Sequence, residues 1–348
     1  MARTNNLTNF LTDVATAIKT KKGDSTPIPA SDFDTEIENL PSGGGDENAI
    51  IDMSKIDSGK KLTDTITKIP SITFPTSSNF SSINSFFSGC SNLTTINVTF
   101  GDNIQQANSL FSNCSNLTTI IGTLNTSNVT GFNNMFNNCK SLTTIPSLNT
   151  SNGKQFNQMF TFCEKITTIP NSIDTSKGTD LSSMFSYCDE LITIPSLNTS
   201  SATNVSSMFN GCSKLTTIPN IDTSSATNTN NMFLNCYALT SIPNTIDTSS
   251  STNTNNMFCN CYELTTIPVL NLSKVTSSSN MRNMFGGCRS LNTTSLDNIL
   301  QSCISATSYT GTKTLYHLGL KSYYYPESTI QSLPHYQDFI NAGWTIGY

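Results

Sequence analysis

Apolar positions recur at an almost constant interval between residue 81 and about residue 294, and they define a repeat of 24–27 residues. Each copy has a Phe three residues before a Cys and, with one Ile as the exception, a Leu three residues after it. Such a period is typical of a solenoid, because no single coil can bury its apolar residues alone. We therefore predict a leucine-rich-repeat-like stack of about nine coils, indexed by Cys90, Cys114, Cys139, Cys163, Cys188, Cys212, Cys236, Cys261 and Cys288.

Within each copy the pattern predicts a turn, a short helical segment and a short strand, so that the fold class is an α/β repeat. Asn/Asp-Thr-Ser supplies turn chemistry. Met184, Phe185 and Cys188 share one side in helical geometry. Leu-Thr-Thr-Ile is a β-prone run that usually ends at Pro. Stacked at the ~4.8 Å spacing of neighbouring strands, these runs would form a sheet about 43 Å long.

The two ends depart from the repeat. Residues 5–18 predict an amphipathic helix, a second short helix follows, and a Gly-rich linker begins at residue 43. These helices have little apolar area of their own, so we expect them to meet another chain, with packing on the solenoid as the alternative. We divide the chain into a helical attachment module (1–41), a linker and N-terminal cap (42–80), the solenoid (81–294) and a C-terminal cap (295–348). The attachment stripe consists of Leu7, Phe10, Leu11, Val14 and Ile18.

Composition and charge remove several functional classes. Charged residues make up 12% of the chain, and its net charge is −5. A nucleic-acid-binding protein needs clustered Lys and Arg, and we find no such cluster. No apolar stretch approaches the ~18–20 residues of a membrane span, so we expect no membrane insertion. Residues 1–10 lack the apolar core of a signal peptide, which favours release by another route, such as cell lysis.

The cysteines and acidic residues could perform metal or disulfide chemistry, but their arrangement favours structural roles. Equivalent cysteines of stacked coils have parallel side chains that do not meet disulfide geometry, so we expect buried free thiols. One acidic or amide side chain per coil is too few for the six to eight oxygens of a calcium site. We expect turn and cap roles for Asn149, Asp174, Asn198, Asp222 and Asp247.

Catalytic motifs are missing from the sequence. The two histidines have no carboxylate or Cys at motif spacing, and there is no Gly-rich phosphate loop and no nucleophile motif. We therefore predict that the protein is not an enzyme and that it has no catalytic residue, no metal and no cofactor.

Two sets of residues are candidates for binding. A Thr or Ser always precedes the repeat Ile, and strand alternation should place it on the exposed face. The resulting hydroxyl column is either a flat strip for a glycan or protein, or simply a solvated sheet face. Its main members are Thr144, Thr168, Thr193, Thr217 and Thr266. The second candidate, Tyr323-Tyr324-Tyr325, is either a contact patch or part of the packing of the C-terminal cap.

The repeat, with its Met-Phe-x-x-Cys-x-x-Leu-Thr-x-Ile signature and Asn/Asp-Thr-Ser turn, resembles the BspA-type leucine-rich-repeat surface proteins of mycoplasmas and Gram-positive bacteria. The N-terminal segment, with Ala-Ile-Lys followed by Pro-Ile-Pro-Ala, resembles a module of tail-associated proteins in phages of Gram-positive bacteria. The segment from Leu291 to Tyr348 is similar to the end of repeat proteins from the same phages.

These resemblances imply a function in recognition. The first expectation is a phage virion protein, a tail or head fibre-like appendage, whose N-terminal helices bind other virion proteins. Its solenoid would bind a host cell-surface glycan or protein, and the protein would form a homo-oligomer. The alternative is a bacterial cell-surface adhesin of the BspA type. A third possibility, an ice-binding solenoid, comes from the hydroxyl column.

Overall fold

The computed structural model describes residues 51–52, 68–74, 81–316 and 325–347. The attachment module at 1–41, including the stripe from Leu7 to Ile18, lies outside these residues, as do Tyr323 and Tyr324.

The described chain winds into a leucine-rich-repeat-like solenoid whose coils stack in parallel register. One residue per coil forms a parallel β-bridge with the equivalent residue of the next coil, through Ser82, Gln106, Gly131, Gln155, Asp180, Asn204, Asn228 and Asn253. These positions are spaced at the same 24- and 25-residue intervals as the cysteines. The sequence period is therefore the length of one coil, and the predicted solenoid is confirmed.

A column of stacked phenylalanines runs through the core. Neighbouring ring centroids are 5.3–5.9 Å apart, and their planes differ by at most 13°. All of these rings are buried, as are the Cys and Leu columns beside them. Each ring therefore contacts one ring in the coil before it and one in the coil after it. The column contains Phe87, Phe111, Phe136, Phe160, Phe185, Phe209, Phe233, Phe258 and Phe285.

The Met-Phe-x-x-Cys segment is a run of turns, so the predicted helical segment is wrong. Ser183 and Tyr187 have φ angles of 54° and 56°, in the left-handed region. The Met184 N–H donates within its own coil, to Leu181 O (3.2 Å), whereas the Phe185 N–H donates to Met208 O (2.9 Å) in the next coil. This alternation is incompatible with an α-helix, in which every N–H bonds within its own segment. No α-helix occurs at 81–292, and one 3-10 turn lies at Ser278–Asn280.

The predicted continuous sheet is also wrong, because the regular strands of the solenoid lie only at its N-terminal end. Strands β1 (Ile51–Asp52), β2 (Lys68–Thr73), β3 (Thr95–Thr99) and β4 (Thr119–Ile121) form a parallel sheet in that order. Later Thr-x-Ile segments make scattered contacts, such as the bridge between Ser241 and Thr266. In these coils the residue after the Ile is a proline, which lacks the N–H that a strand ladder needs. The prolines are Pro146, Pro170, Pro195, Pro219, Pro243 and Pro268.

Helix α1 (Thr293–Ile304) follows the ninth ladder Cys and packs against the coil of Cys261. The hydroxyls of Ser295 and Ser302 accept hydrogen bonds from the backbone N–H groups of Ile267 (3.0 Å) and Leu270 (2.8 Å). Ser305, which follows the helix, accepts from the N–H of Leu272 at 2.8 Å. Serine hydroxyls thus supply the acceptors for three backbone N–H groups at this end of the solenoid.

The remaining C-terminal elements pack beyond α1. They are β5 (Thr314–Tyr316), α2 (Glu327–Gln331), α3 (Tyr336–Asn341) and β6 (Thr345–Gly347). Strands β5 and β6 pair in parallel, and α3 contacts α1. None of the helices that the structure describes has the length and apolar content of a membrane span.

Replacing one ring of the phenylalanine column should destabilise the solenoid strongly. Phe185 is fully buried between Phe160 and Phe209, with centroids 5.6 and 5.8 Å away. Phe185→Ala should lower the free energy of unfolding by about 3–5 kcal/mol, because it leaves a cavity. Tyr237, which is 41% exposed, is the matched aromatic control, and Tyr237→Ala should cost much less. Denaturant titration measures both, and equal losses would contradict the stacked core.

Replacing Ser295, Ser302 and Ser305 together with Ala should open the end of the solenoid. Three backbone N–H groups would lose their acceptors, at about 1–3 kcal/mol for each group that stays buried. Amide hydrogen exchange at Ile267, Leu270 and Leu272 should accelerate, while exchange in the middle coils stays unchanged. The exposed Ser308→Ala change is the control. Unchanged exchange in the triple variant would show that α1 does not protect this edge.

Candidate recognition surfaces

The predicted threonine column lies on the surface of the solenoid. Its five main members, Thr144, Thr168, Thr193, Thr217 and Thr266, are all exposed. Strand alternation predicts one exposed residue between the buried Leu and the buried Ile, but the structure exposes two, such as Thr143 and Thr144. The segment is too irregular to alternate, so the exposed strip is two residues wide.

The hydroxyls of this column are free of hydrogen bonds to the part of the chain that the structure describes. In a neighbouring column, Thr240 Oγ1 donates to Thr216 O (3.1 Å) and Thr265 Oγ1 donates to Thr240 O (3.0 Å). A hydroxyl has one donor and two acceptor sites, and in the exposed column all of them face solvent. These groups can therefore bond to a partner without breaking a contact within the protein.

A second threonine column, which the sequence analysis missed, is buried. Thr150 Oγ1 donates to Asp174 O (2.8 Å) and accepts from the Asp174 N–H (2.7 Å), so one hydroxyl bonds both backbone groups of the next coil. The sequence signal was the invariant middle residue of the Asn/Asp-Thr-Ser turn. The column contains Thr126, Thr150, Thr175, Thr199, Thr223 and Thr248.

The first residue of that turn has the expected structural role. Asp174 Oδ1 accepts from the Ser176 N–H (2.8 Å), and the same bond recurs at Asn149, Asn198, Asp222 and Asp247. Hydrogen bonds from the serine two residues on lower the pKa of Asp174 and of Asp222. A broad open cleft of about 670 Å³ runs along these turns near Asp222 and Asp247. The described residues include no group of three or more side chains that could hold a metal ion.

The cysteines are free thiols, and the nine of the ladder are buried, as predicted. The eight thiols from Cys114 to Cys288 also form a hydrogen-bonded column, because each donates to the carbonyl of the Phe one coil earlier. Cys188 Sγ, for example, lies 3.2 Å from Phe160 O. Burial raises the pKa of Cys139, Cys212 and Cys288 far above the ordinary value of a thiol. Such thiols are poor nucleophiles and poor metal ligands.

Tyr325 belongs to the packing of the C-terminal segment, so the contact-patch alternative is wrong for this residue. Its hydroxyl donates to Cys288 O (3.0 Å) and accepts from the Leu291 N–H (2.6 Å). Burial raises the pKa of Tyr325 to about 12. A buried hydroxyl with both of its bonds inside the protein is not available to a partner.

His335 and Asp297 form a contact that sequence spacing did not reveal. His335 Nδ1 lies 2.7 Å from Asp297 Oδ2, and the His335 backbone N–H donates to Asp297 Oδ1 (2.9 Å). Burial acts to raise the pKa of Asp297, but the hydrogen bonds from His335 and Gln301 outweigh it and hold the pKa below its ordinary value. The pair joins the start of α3 to α1.

Exposed aromatic side chains flank the cysteine turns, a surface that the sequence analysis also missed. Phe162 and Tyr187 stack with centroids 4.7 Å apart, and Tyr237 and Tyr262 stack at 5.1 Å. The guanidinium carbon of Arg289 lies 4.5 Å from the centroid of Tyr262. These residues stand directly before or after a ladder Cys, where the residue type varies between copies, so the periodic pattern gave no signal.

The sequence matches a family model described as "Mycoplasma protein of unknown function, DUF285" over residues 77–193 and 179–299. No curated protein matches the sequence. Among solved structures, a leucine-rich repeat protein from Eubacterium ventriosum is 15% identical, with a TM-score of 0.27, over 66% of this chain and 78% of that one. TLR13, solved in complex with ssRNA13, is 12% identical, with a TM-score of 0.20, over 74% of this chain and 46% of that one.

Thiol labelling should separate the ladder from Cys259. The ladder thiols are buried, whereas Cys259 is half-buried and lies outside the ladder, so it should be the first thiol to react in native protein. The remaining thiols should react only on unfolding, because burial removes both access and thiolate. Mass spectrometry after timed alkylation measures the order. Cys259→Ser should abolish the early product, and early labelling of several thiols would contradict the packed column.

Proposed function

The chain belongs to the family described as Mycoplasma protein of unknown function, DUF285, and we propose that it is a surface-displayed recognition protein of the BspA type. Its place of action would be the bacterial cell surface. The family match covers residues 77–193 and 179–299, the part that forms the solenoid, and supports the resemblance to BspA-type repeats. It gives the cell-surface role more support than the virion role.

The virion role stays a prediction. It rests on residues 1–41, which the family match does not reach, and on residues 291–348, of which the match covers only those up to 299. Attachment to other virion proteins through Leu7 to Ile18 also stays a prediction, as do the expected homo-oligomer and the absence of enzymatic activity. For these reasons the cell-surface adhesin replaces the virion protein as the preferred function.

The exposed threonine column is the observation that carries the proposal. Its hydroxyls repeat once per coil and make no hydrogen bonds within the described chain, while two neighbouring threonine columns are engaged with backbone. A single hydroxyl contributes little to binding, but several in line can contact a partner that is itself extended or repetitive. A glycan chain or an extended protein surface has the matching donors and acceptors.

Charge substitutions along the column should abolish recognition without unfolding the protein. The variant Thr168→Arg/Thr193→Arg/Thr217→Arg places three bulky cations on the exposed strip and should weaken binding to host cells by at least about tenfold, or ~1.4 kcal/mol. The measurement is binding of labelled protein to host cells and to arrays of glycans and matrix proteins.

The matched control carries the same three charges on another exposed column. Thr179, Thr203 and Thr227 occupy one register nine residues before successive ladder cysteines, and all three are exposed. The variant Thr179→Arg/Thr203→Arg/Thr227→Arg should bind normally. Its melting temperature should fall slightly, because Thr203 Oγ1 and Thr227 Oγ1 donate to Thr179 O and Thr203 O (both 3.2 Å), so binding is measured well below the melting transitions of both variants. Equal loss in the two variants, or binding retained in both, would reject the threonine strip as the site.

A further inference from the structure

The residues that directly follow the ladder cysteines form a surface column with a gap in it. Tyr237, Tyr262 and Arg289 occupy successive coils, with the two rings stacked at 5.1 Å and the guanidinium over the outer face of Tyr262. Ser213 stands one coil before Tyr237, and Asp189 one coil before Ser213. One face of Tyr237 is covered by Tyr262, so its other face is turned toward the coil of Ser213.

The gap has the height of one flat group. Two coil steps at the ~4.8 Å spacing of hydrogen-bonded strands separate the levels of Asp189 and Tyr237 by ~10 Å. A planar group between them needs ~3.5–4.0 Å on each side. The Ser213 hydroxyl donates to Asp189 O (3.1 Å), so it turns toward the backbone. The notch, defined here as Asp189, Ser213 and Tyr237, is bordered by the Tyr187 ring, which lies over Gly211.

Asp189 forms no ion pair within the described chain, unlike the nearby Glu164 and Glu190. Its neighbours are paired, Glu164 with Lys140 at 2.9 Å and Glu190 with Lys214 at 2.6 Å. Burial and then repulsion from Glu164 and Glu190 raise the pKa of Asp189, and the attraction of Lys140 offsets them only in part. An arriving cation would therefore relieve an existing repulsion, and the notch has the charge complementary to a cation.

Tyr187, which borders the notch, has a strained backbone conformation. It has a φ of 56°, in the left-handed region that bulky side chains rarely adopt. At the same register the chain uses Gly or Asn in seven copies, which take this conformation readily. Strained aromatic residues on an exposed surface suggest selection for contact rather than for folding.

We propose that the notch binds the guanidinium of an arginine side chain from a partner protein. The proposal deepens the recognition role proposed above and rests on it. A guanidinium is flat, stacks on an aromatic face and carries a positive charge, so Tyr237 can cover one of its faces while Asp189 supplies the opposite charge beyond the other face. Arg289 on Tyr262 already shows the stacking half of this arrangement within the chain. A neutral sugar ring has no positive charge to complement the carboxylate of Asp189.

A direct binding measurement with the full chain tests the notch. The probe is the peptide acetyl-Gly-Ser-Arg-Ser-Gly-amide, and its twin carries citrulline, which keeps the shape and removes the charge. In saturation-transfer NMR the arginine peptide should bind, with saturation at the guanidinium end, and the citrulline peptide should not. Asp189→Asn and Tyr237→Ala should each weaken binding about three- to fivefold.

Variants of Ser213 test the shape of the gap without removing either binding group. Ser213→Leu should fill the notch and abolish binding, whereas Ser213→Thr should retain it. Asp338→Asn, at an exposed carboxylate on α3, controls for loss of charge. Equal binding of the two peptides, or no effect of Asp189→Asn, would overturn the proposal. Binding of a neutral glucose oligosaccharide that depends on Tyr237 but not on Asp189 would overturn it in favour of a glycan.

The outcomes are separable from those of the proposed function. Loss of peptide binding in the notch variants with host-cell binding intact would leave the threonine strip as the recognition surface and the notch as an accessory contact. Peptide binding that survives in every notch variant refutes the notch itself, whatever the cell assay shows. Absence of host-cell binding in the parent protein, with peptide binding present, would instead refute the threonine strip.

Discussion

Backbone hydrogen bonds between successive coils are the interaction on which the rest of this structure depends. In each cysteine turn, alternate N–H groups bond within their own turn and across to the next coil. The first set shapes the turn, and the second set holds successive coils together. This pattern fixes the coil length, because a coil of the wrong length would move its carbonyls out of register. The phenylalanine, thiol and buried threonine columns follow from that register, since each brings equivalent side chains into contact at every step.

The buried thiol and threonine columns hold the coils together, whereas the exposed threonine column is open to solvent. Thiols and the threonines of the Asn/Asp-Thr-Ser turn face inward and have partners within the protein. Thr144, Thr168, Thr193, Thr217 and Thr266, which precede the repeat Ile, face outward, and their hydroxyls have no hydrogen-bond partner among the described residues. Exposed aromatic residues break the uniformity of the surface at a few coils, so the solenoid combines a regular polar strip with irregular positions that can give specificity. The nine ladder cysteines, by contrast, are buried and do not reach this surface.

Sequence alone predicted the elements that depend on the period. The core columns, the reduced cysteines and the turn role of Asp174 all follow from apolar or polar residues that recur at one register. The helical segment failed because the spacing of Met184, Phe185 and Cys188 fits successive turns as well as a helix. The sheet failed because one proline per coil outweighs the β-propensity of Thr and Ile. Three features could not be predicted: the exposed aromatic residues beside the cysteine turns, the packing of Tyr325 and the His335–Asp297 pair. They depend on contacts between non-repeated residues or between positions far apart in the chain.

The serine hydroxyls of α1 bond to the coil of Cys261 and to α1 itself, and the buried threonines bond to adjacent coils. An unequal recombination event that inserts or deletes one whole repeat in the middle of the gene would therefore preserve every contact at the end and create one more, or one fewer, standard interface. Adding or removing one repeat would lengthen or shorten the exposed surface by one coil and leave the contacts between coils unchanged. A change in repeat number therefore needs no new kind of contact, and this follows from where α1 makes its hydrogen bonds.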